Sequence, residues 1–245
     1  MAASAGRTDV LIAGAGPVGL LAAARLLQLG LSVRVLEAAA NPMQDLRAST
    51  FHPSTLAMLE ELGLIDGLIA RGLKAPVFQY RVRATDEILA FDLSELADFL
   101  AYPYRLQCEQ YKLTEDLTNH LMEQDHCDLR FRRRVVHFEQ NDRRVLVHAE
   151  APYDLEFYEA AFLIAADGAN SIIRKWLGVD FDGFTYPEKF LTMSTLEPLE
   201  QYFRDLSYVN YISDPDEWLV LLRAPSAWRV LISAPDAVPD STLTS

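Results

Sequence analysis

The sequence predicts an α/β fold in which a parallel β-α-β unit is joined to an antiparallel sheet, and three observations carry that prediction. A short apolar run, Val10-Leu11-Ile12-Ala13, leads straight into a glycine-rich turn and then into a Leu/Ala-rich segment. A second apolar run, Phe162 to Ala166, ends in Asp167-Gly168 and leads into another helical segment. From Tyr208 onward the pattern changes to alternating, β-rich runs separated by Asp214-Pro215-Asp216-Glu217 and Ala224-Pro225-Ser226. Continuous apolar runs suit strands buried on both faces of a parallel sheet, whereas alternation suits strands with one covered face.

Composition narrows the partners. The 245 residues can bury a core without disulfide staples, and 50% hydrophobic with 23% charged residues is the balance of a folded chain. Thirty-five acids against 22 bases give a net charge of −13, which disfavours nucleic acid as a partner, since binding its backbone needs a basic face. Cys108 and Cys127 have neither metal-ligand nor redox spacing and read as thiols of a reducing compartment, pointing to the cytoplasm. The segment from Val10 to Leu31 is too interrupted, by Gly14, Gly16, Pro17, Gly19, Arg25 and Gln28, to read as a membrane span. His52, His120, His126, His137 and His148 show no metal spacing.

The first unit is expected as strand Asp9 to Ala13, helix Leu20 to Leu29 closed by Gly30, and strand Ser32 to Glu37. Between the first two lies Gly14-Ala15-Gly16-Pro17-Val18-Gly19, the glycine pattern of a Rossmann-like dinucleotide turn. In such a turn Gly14 would make the bend, Gly16 would let the backbone approach a pyrophosphate, and Gly19 would let helix and strand pack closely. The helix N-terminus offers unpaired N–H groups to phosphate, with Pro17 tolerated in its first turn. Glu37 stands 18 residues after Gly19, at a strand end, where it would accept from a ribose hydroxyl. The glycine pattern alone does not choose between a nicotinamide cofactor and FAD.

Beyond this unit, Asn41 to Gly63 reads as a loop containing Arg47, then a helix opened by Ser54 and closed by Gly63. Here the chain resembles the single-component FAD-dependent aromatic hydroxylases, the flavoprotein monooxygenases that include the p-hydroxybenzoate and phenol hydroxylases. The resemblance implies that Arg47, with Ala48 beside it, reaches the FAD pyrophosphate; a loop ion pair with Asp45 is the other reading of Arg47. It also implies that Gln110, before a helix N-capped by Thr114, contacts the flavin side, that Val135 packs on the adenine, and that Ala38 joins Glu37 at the cofactor. Without the resemblance Gln110 is an ordinary polar residue ahead of a helix.

The remaining elements follow in order. Arg130 to Val136 and Arg143 to Ala149 read as a hairpin around Asn141-Asp142, with Arg132, Arg133, Arg134, Arg143 and Arg144 forming a solvated face that offsets nearby acids. Phe162 to Ala166 is a buried strand, and Asn170 or Ser171 can cap the helix that Gly178 closes. Asp167, Gly168 and Arg174 match the family's Asp-Gly motif, which the resemblance places near the FAD pyrophosphate and the path of the nicotinamide coenzyme. Tyr208 to Ser213, Trp218 to Arg223 and Trp228 to Ala234 form an antiparallel meander. Tyr208, Tyr211, Trp218 and Trp228 could line a pocket or pack in a core, and the sequence does not choose.

The expected organisation is therefore a Rossmann-like FAD-binding domain over residues 1–178, with a sheet insertion around 75–105, and the start of a substrate-binding β-sheet domain over 179–245. The resemblance implies an oxidoreductase in which NADPH or NADH, as co-substrate, reduces FAD, and oxygen then adds to the flavin. The resulting hydroperoxide hydroxylates a small phenolic substrate. No catalytic base is identified, and the paired tryptophan motif of flavin halogenases is absent. The family's second flavin motif begins with Gly-Asp, a dipeptide this sequence lacks, so the resemblance covers the N-terminal half of the family and implies a C-terminally truncated flavin domain. The alternative readings are a catalytically incomplete FAD-binding fragment or a flavin reductase or halogenase of the same fold, and the expected protein partner is a second copy in a homo-oligomer or a complementing C-terminal half.

Overall fold

The computed structural model describes residues 5–44, 48–215, 218–235 and 237–239. The chain opens with β1 (Ala5–Ala13), α1 (Pro17–Gln28) and β2 (Val33–Leu36). There follow β3 (Thr50–Phe51), α2 (Pro53–Glu61), α3 (Ile65–Arg71), β4 (Leu73–Ala75), β5 (Val77–Val82), β6 (Glu87–Asp92) and β7 (Arg105–Gln107). Then come α4 (Gln110–Met122), β8 (Cys127–Arg130), β9 (Arg134–Asn141), β10 (Arg144–Glu150), β11 (Leu155–Ala165) and α5 (Ile172–Trp176). The last strands are β12 (Glu188–Thr195), β13 (Val209–Ser213), β14 (Leu219–Arg223) and β15 (Trp228–Pro235). Two compact units result, Met1–Asp45 with Tyr111–Asp182, and Leu46–Gln110 with Gly183–Ser245. The division thus differs from a single boundary at 178, because β5 pairs in parallel with β13 and draws residues 46–110 into the sheet of the later segment.

In the first unit the sheet runs β8-β2-β1-β11-β10-β9. The first four strands are mutually parallel and the last two antiparallel. Being central, β1 is covered on both faces, which is why Val10, Leu11, Ile12 and Ala13 are all buried apolar residues. Helix α1 presents Gly19, Leu20, Ala23 and Ala24 inward, and the small Gly19, Ala23 and Ala24 allow close approach. Helix α4 buries Leu113, Leu117 and Leu121 at helical spacing.

Four local expectations are corrected. The run Phe162 to Ala166, expected as a buried strand, ends β11 with no residue fully buried and Phe162 69% exposed, because this end of the strand borders an open cleft. Helix α2 is capped by His52, not Ser54, because Pro53, with fixed φ and no N–H, suits the first helical position. Helix α4 starts at Gln110, a turn before Thr114: the Gln110 N–H finds an acceptor in Ala48 O at 2.9 Å, while Thr114 is buried with its hydroxyl donating to Tyr111 O. The strand expected from Arg130 to Val136 is broken, since Arg132 takes φ +54° and the Arg132 and Arg133 amides turn to Ala39 O and Glu37 O. The hairpin itself forms as read, with Asn141 Oδ1 accepting from the amides of Arg143 and Arg144 at 2.9 and 3.1 Å.

In the second unit the main sheet runs β12-β15-β14-β13-β5-β6, beside a small β3-β7-β4 sheet. The meander β13-β14-β15 is antiparallel, as the alternation predicts. One face buries Ile212, Leu221 and Trp228 under Leu199, Phe203 and Leu206. Arg81 and Gln79 on that face donate to Arg204 O and Asp205 O at 2.6 and 2.8 Å. Among the described residues no helix is long and apolar enough to cross a membrane.

Candidate functional site

The carboxyl ends of β1, β2 and β11 lie side by side. Gly14 N donates to Leu36 O at 2.8 Å and Ala166 N donates to Ala13 O at 2.9 Å, so three turns share one rim. In an open parallel sheet this rim is where ligands are held.

The three glycines of the first turn are required for different reasons. Gly14 adopts φ +104°, and a Cβ there would lie 2.3 Å from Ala166 O. A Cβ on Gly19 would lie 2.0 Å from Gly14 O, so helix and turn touch through it. Gly16 is in extended backbone, and a Cβ there would meet nothing within 4 Å. Neither packing nor backbone geometry inside the chain demands glycine at 16.

Gly16 is also the N-cap of α1, with no side-chain cap and no acid in the first turn. The first helical bond runs from Leu20 N to Gly16 O, so helix geometry leaves the amides of Val18 and Gly19 without an intrahelical acceptor. Pro17 occupies the first turn and has no amide to satisfy.

Glu37 follows β2, and its carboxylate is shared: Oε2 accepts from Ala15 N at 2.7 Å and Oε1 from Ala39 N at 2.7 Å. It therefore braces the glycine turn, and each oxygen keeps further acceptor capacity. Ala38 between the two amides is exposed. Asp167 is similarly employed. Its Oδ1 accepts from Ser171 Oγ at 2.7 Å and its Oδ2 from the amides of Ile172 and Ile173 at 2.8 and 3.2 Å. Ser171 caps α5 as expected, accepting from Arg174 N at 3.0 Å, and Asp167 reinforces that cap. Gly168 takes φ +80°, the left-handed conformation that the turn between them needs.

Against this rim lies a cleft of about 400 Å³ whose lining includes Gly14, Leu36, Val135 and Asp167. Val135 is thus brought to the glycine turn from β9. Arg134, Val136, Asn170 and Ile172 also line the cleft without having been singled out as contacts. Their signal in the sequence is only their proximity to Val135 and Asp167.

Gln110 and Ala48 meet in the second unit through the Gln110 N to Ala48 O bond, next to Cys108 N to Ser49 O at 2.8 Å. Between them, buried Glu109 accepts from Ser226 N at 3.1 Å and from its hydroxyl. Arg47 and Asp45 lie outside the described residues.

Several arginines of the first unit pair with acids. Arg133 meets Glu156 at 2.7 Å and Arg144 meets Glu159 at 2.5 Å, as expected for arginines that offset acids. Burial would raise the Asp128 carboxyl, but hydrogen bonds from Arg130 and Arg34 outweigh it and hold the group below the usual carboxylate range. Burial and the adjacent Asp128 push the Cys127 thiol up to about 11, which keeps it protonated at neutral pH. Among the described residues no group of three or more His, Cys, Asp or Glu is placed to hold a metal.

Comparison with known proteins agrees with this geometry. The chain is 32% identical over 214 residues to para-nitrophenol 4-monooxygenase of Pseudomonas sp. strain WBC-3, covering 87% of this chain and 53% of that protein. It is 38% identical over 189 residues to 6-hydroxy-3-succinoylpyridine 3-monooxygenase HspB of Pseudomonas putida, covering 76% of this chain and 48% of that protein. The crystal structure of p-nitrophenol 4-monooxygenase PnpA from Pseudomonas putida DLL-E4 superposes with a TM-score of 0.91 at 28% identity, over 97% of this chain and 60% of that one. The chain spans about half the length of the curated relatives it matches. The model of the FAD binding domain family matches residues 7–233, a span that holds the glycine turn, Glu37 and the Asp167-Gly168 turn, and the chain belongs to that family.

Proposed function

We propose that the chain is the FAD-binding part of an NAD(P)H-dependent flavoprotein monooxygenase that hydroxylates an aromatic, phenolic substrate with O2. The observation that carries the cofactor assignment is Gly16: a glycine that the protein's own packing does not require, at the uncapped N-terminus of α1, two residues after Gly14, which lines the cleft. A pyrophosphate approaching that backbone supplies the missing reason.

In this reading the Val18 and Gly19 amides hold the pyrophosphate, with Gly14, Ala15 and Pro17 fixing the path of the turn. Glu37, beside Ala38, uses its remaining lone pairs for the ribose of the adenosine half. Val135 supplies the apolar wall for the adenine. Asp167 and Gly168 border the pyrophosphate from β11, Arg47 with Ala48 reaches the pyrophosphate, and Gln110 serves the flavin side. FAD, when bound, supplies electron transfer and oxygen activation. The residues of this chain bind and orient it and keep water from it. The substrate assignment draws on the two relatives, whose names specify monooxygenation of a nitrophenol and of a hydroxypyridine. We place the protein in the cytoplasm, on its two free thiols.

The test is FAD titration of the 245-residue chain, followed by NADPH and NADH oxidation with and without phenols. Binding with phenol-stimulated oxidation supports the whole reading. Binding without oxidation limits the chain to a cofactor-binding part that needs a complementing polypeptide. A folded chain that binds no FAD removes the cofactor assignment.

A further inference from the structure

We propose that His52 and Arg105 form the subsite for the ionisable hydroxyl of the aromatic substrate, Arg105 holding the oxyanion and His52 accepting the proton. This rests on the hydroxylase reading above and adds to it a base and an anion-holding residue. All of the residues concerned belong to the second unit.

The backbone brings the pair together. The β3–β7 ladder ends with Phe51 opposite Leu106, so His52 and Arg105 are the next facing positions. The guanidinium of Arg105 lies over the Phe78 ring, 4.1 Å from its centroid, and donates to the Tyr211 hydroxyl at 3.0 Å. Arg105 is half-buried, and among the described residues no carboxylate pairs with it. A partly desolvated cation without a counter-ion is costly, and the aromatic faces offset only part of that cost. In a chain with 35 acids, a guanidinium left to aromatic neighbours is arranged for an anion that none of the described residues supplies.

The surroundings specify what kind of anion. Phe78 stacks on Phe91 with centroids 5.1 Å apart, and Tyr80 stacks on Tyr211 at 4.9 Å. Tyr80 and Phe91 remain 45% and 48% exposed, whereas the opposite face of the same sheet is covered around Trp228. An open aromatic face beside an unneutralised guanidinium matches a flat ring carrying negative charge.

His52 supplies the proton acceptor. It is solvent-accessible, and partial desolvation first, then the charge of Arg105, hold its imidazole below the ordinary histidine range, so it is neutral at pH 7. The charge that acts on it is that of Arg105 of β7, which in turn donates to Tyr211 of β13, itself stacked on Tyr80 of β5; Lys74 of β4 is drawn over the Tyr104 ring at 5.0 Å. The phenol O–H proton passes to the free imidazole nitrogen, and the electron pair stays on the oxygen against the guanidinium. The proton stays on the imidazole, whose new positive charge the adjacent phenolate offsets. Because this imidazole is a weak base, the pair selects phenols that are acidic themselves.

The experiment is absorbance titration of the 245-residue chain with para-cyanophenol, para-chlorophenol and para-methylphenol, each below its own pKa, reading the phenolate band. The expected result is a phenolate band on binding, with affinity rising in step with phenol acidity. Arg105→Met abolishes the band and weakens binding about tenfold or more, and Arg105→Lys restores part of it. His52→Gln keeps binding at high pH and loses it at low pH. Thermal melts by circular dichroism check the fold of each variant; should Arg105→Met unfold, the Lys and Gln variants decide alone. Phenolate binding unchanged in Arg105→Met, or in both Lys and Gln variants, overturns the inference. Phenol-stimulated NAD(P)H oxidation without any phenolate band overturns the subsite while leaving the hydroxylase reading intact. Absence of phenol binding in a parent chain that binds FAD overturns the subsite alone, and absence of FAD binding as well removes the reading on which it rests.

Discussion

The glycine rim of the first unit and the aromatic face of the second are built in opposite ways. At the rim the groups proposed to recognise the cofactor are backbone amides, and the positions that matter are those with no side chain, Gly14, Gly16 and Gly19, all within six residues. On the aromatic face the groups are large side chains drawn from β5, β6, β7, β13 and the residue after β3. A backbone site is specified by adding nothing at the right places, so it tolerates almost no substitution. A side-chain site is specified by distributed contacts, so it degrades gradually.

Gly19→Ala tests this contrast most severely. With Gly14 O only 2.0 Å from the new Cβ, the turn or the helix must move, and we expect a loss of about 3 kcal/mol in chemical denaturation. A melting curve like the parent's would mean that the glycine turn is not the close helix contact described.

Gly16→Val separates binding from folding within the same turn. Its side chain enters open space, so thermal stability stays within about 0.5 kcal/mol of the parent while FAD affinity falls about a hundredfold. Equal losses of both would erase the distinction between Gly16 and its two neighbours.

Tyr211→Phe probes the distributed site. It removes one hydrogen bond, from Arg105 at 3.0 Å, and keeps the stack on Tyr80, so we expect a cost of about 1 kcal/mol and no loss of FAD binding. A collapse of the unit would show that the aromatic face is as brittle as the rim.

The smallest effect concerns acid stability of the first unit. The Asp128 carboxyl is held below its unfolded value, so its contribution is present above roughly pH 4 and is lost as pH falls through the lower folded value. Asp128→Asn should flatten the acid limb of stability against pH by less than about 1 kcal/mol, because the side chain is 35% exposed and screened.

The same contrast explains what was legible in advance. The βαβ unit, the Asp167 turn and the final meander are each local in sequence, and hydrophobic periodicity with a few turn residues reveals them. The start of α4 is not legible in the local sequence because the partner of its first amide, Ala48 O, is 62 residues away in the chain. The break between β8 and β9 was missed for a similar reason: Ala39 O and Glu37 O draw off the amides of Arg132 and Arg133.

By itself the sequence determined the class of fold and the glycine turn, since alternation, apolar runs and glycine spacing act over a few residues. Only the tertiary structure decided which glycine faces outward, that Glu37 and Asp167 brace their own turns, and that β5 joins β13. It alone also set His52 beside Arg105 and laid Arg105 over Phe78 and Tyr211. Those outcomes depend on contacts between residues far apart in the chain, where side-chain volume and hydrogen-bond geometry, not local pattern, fix the partner.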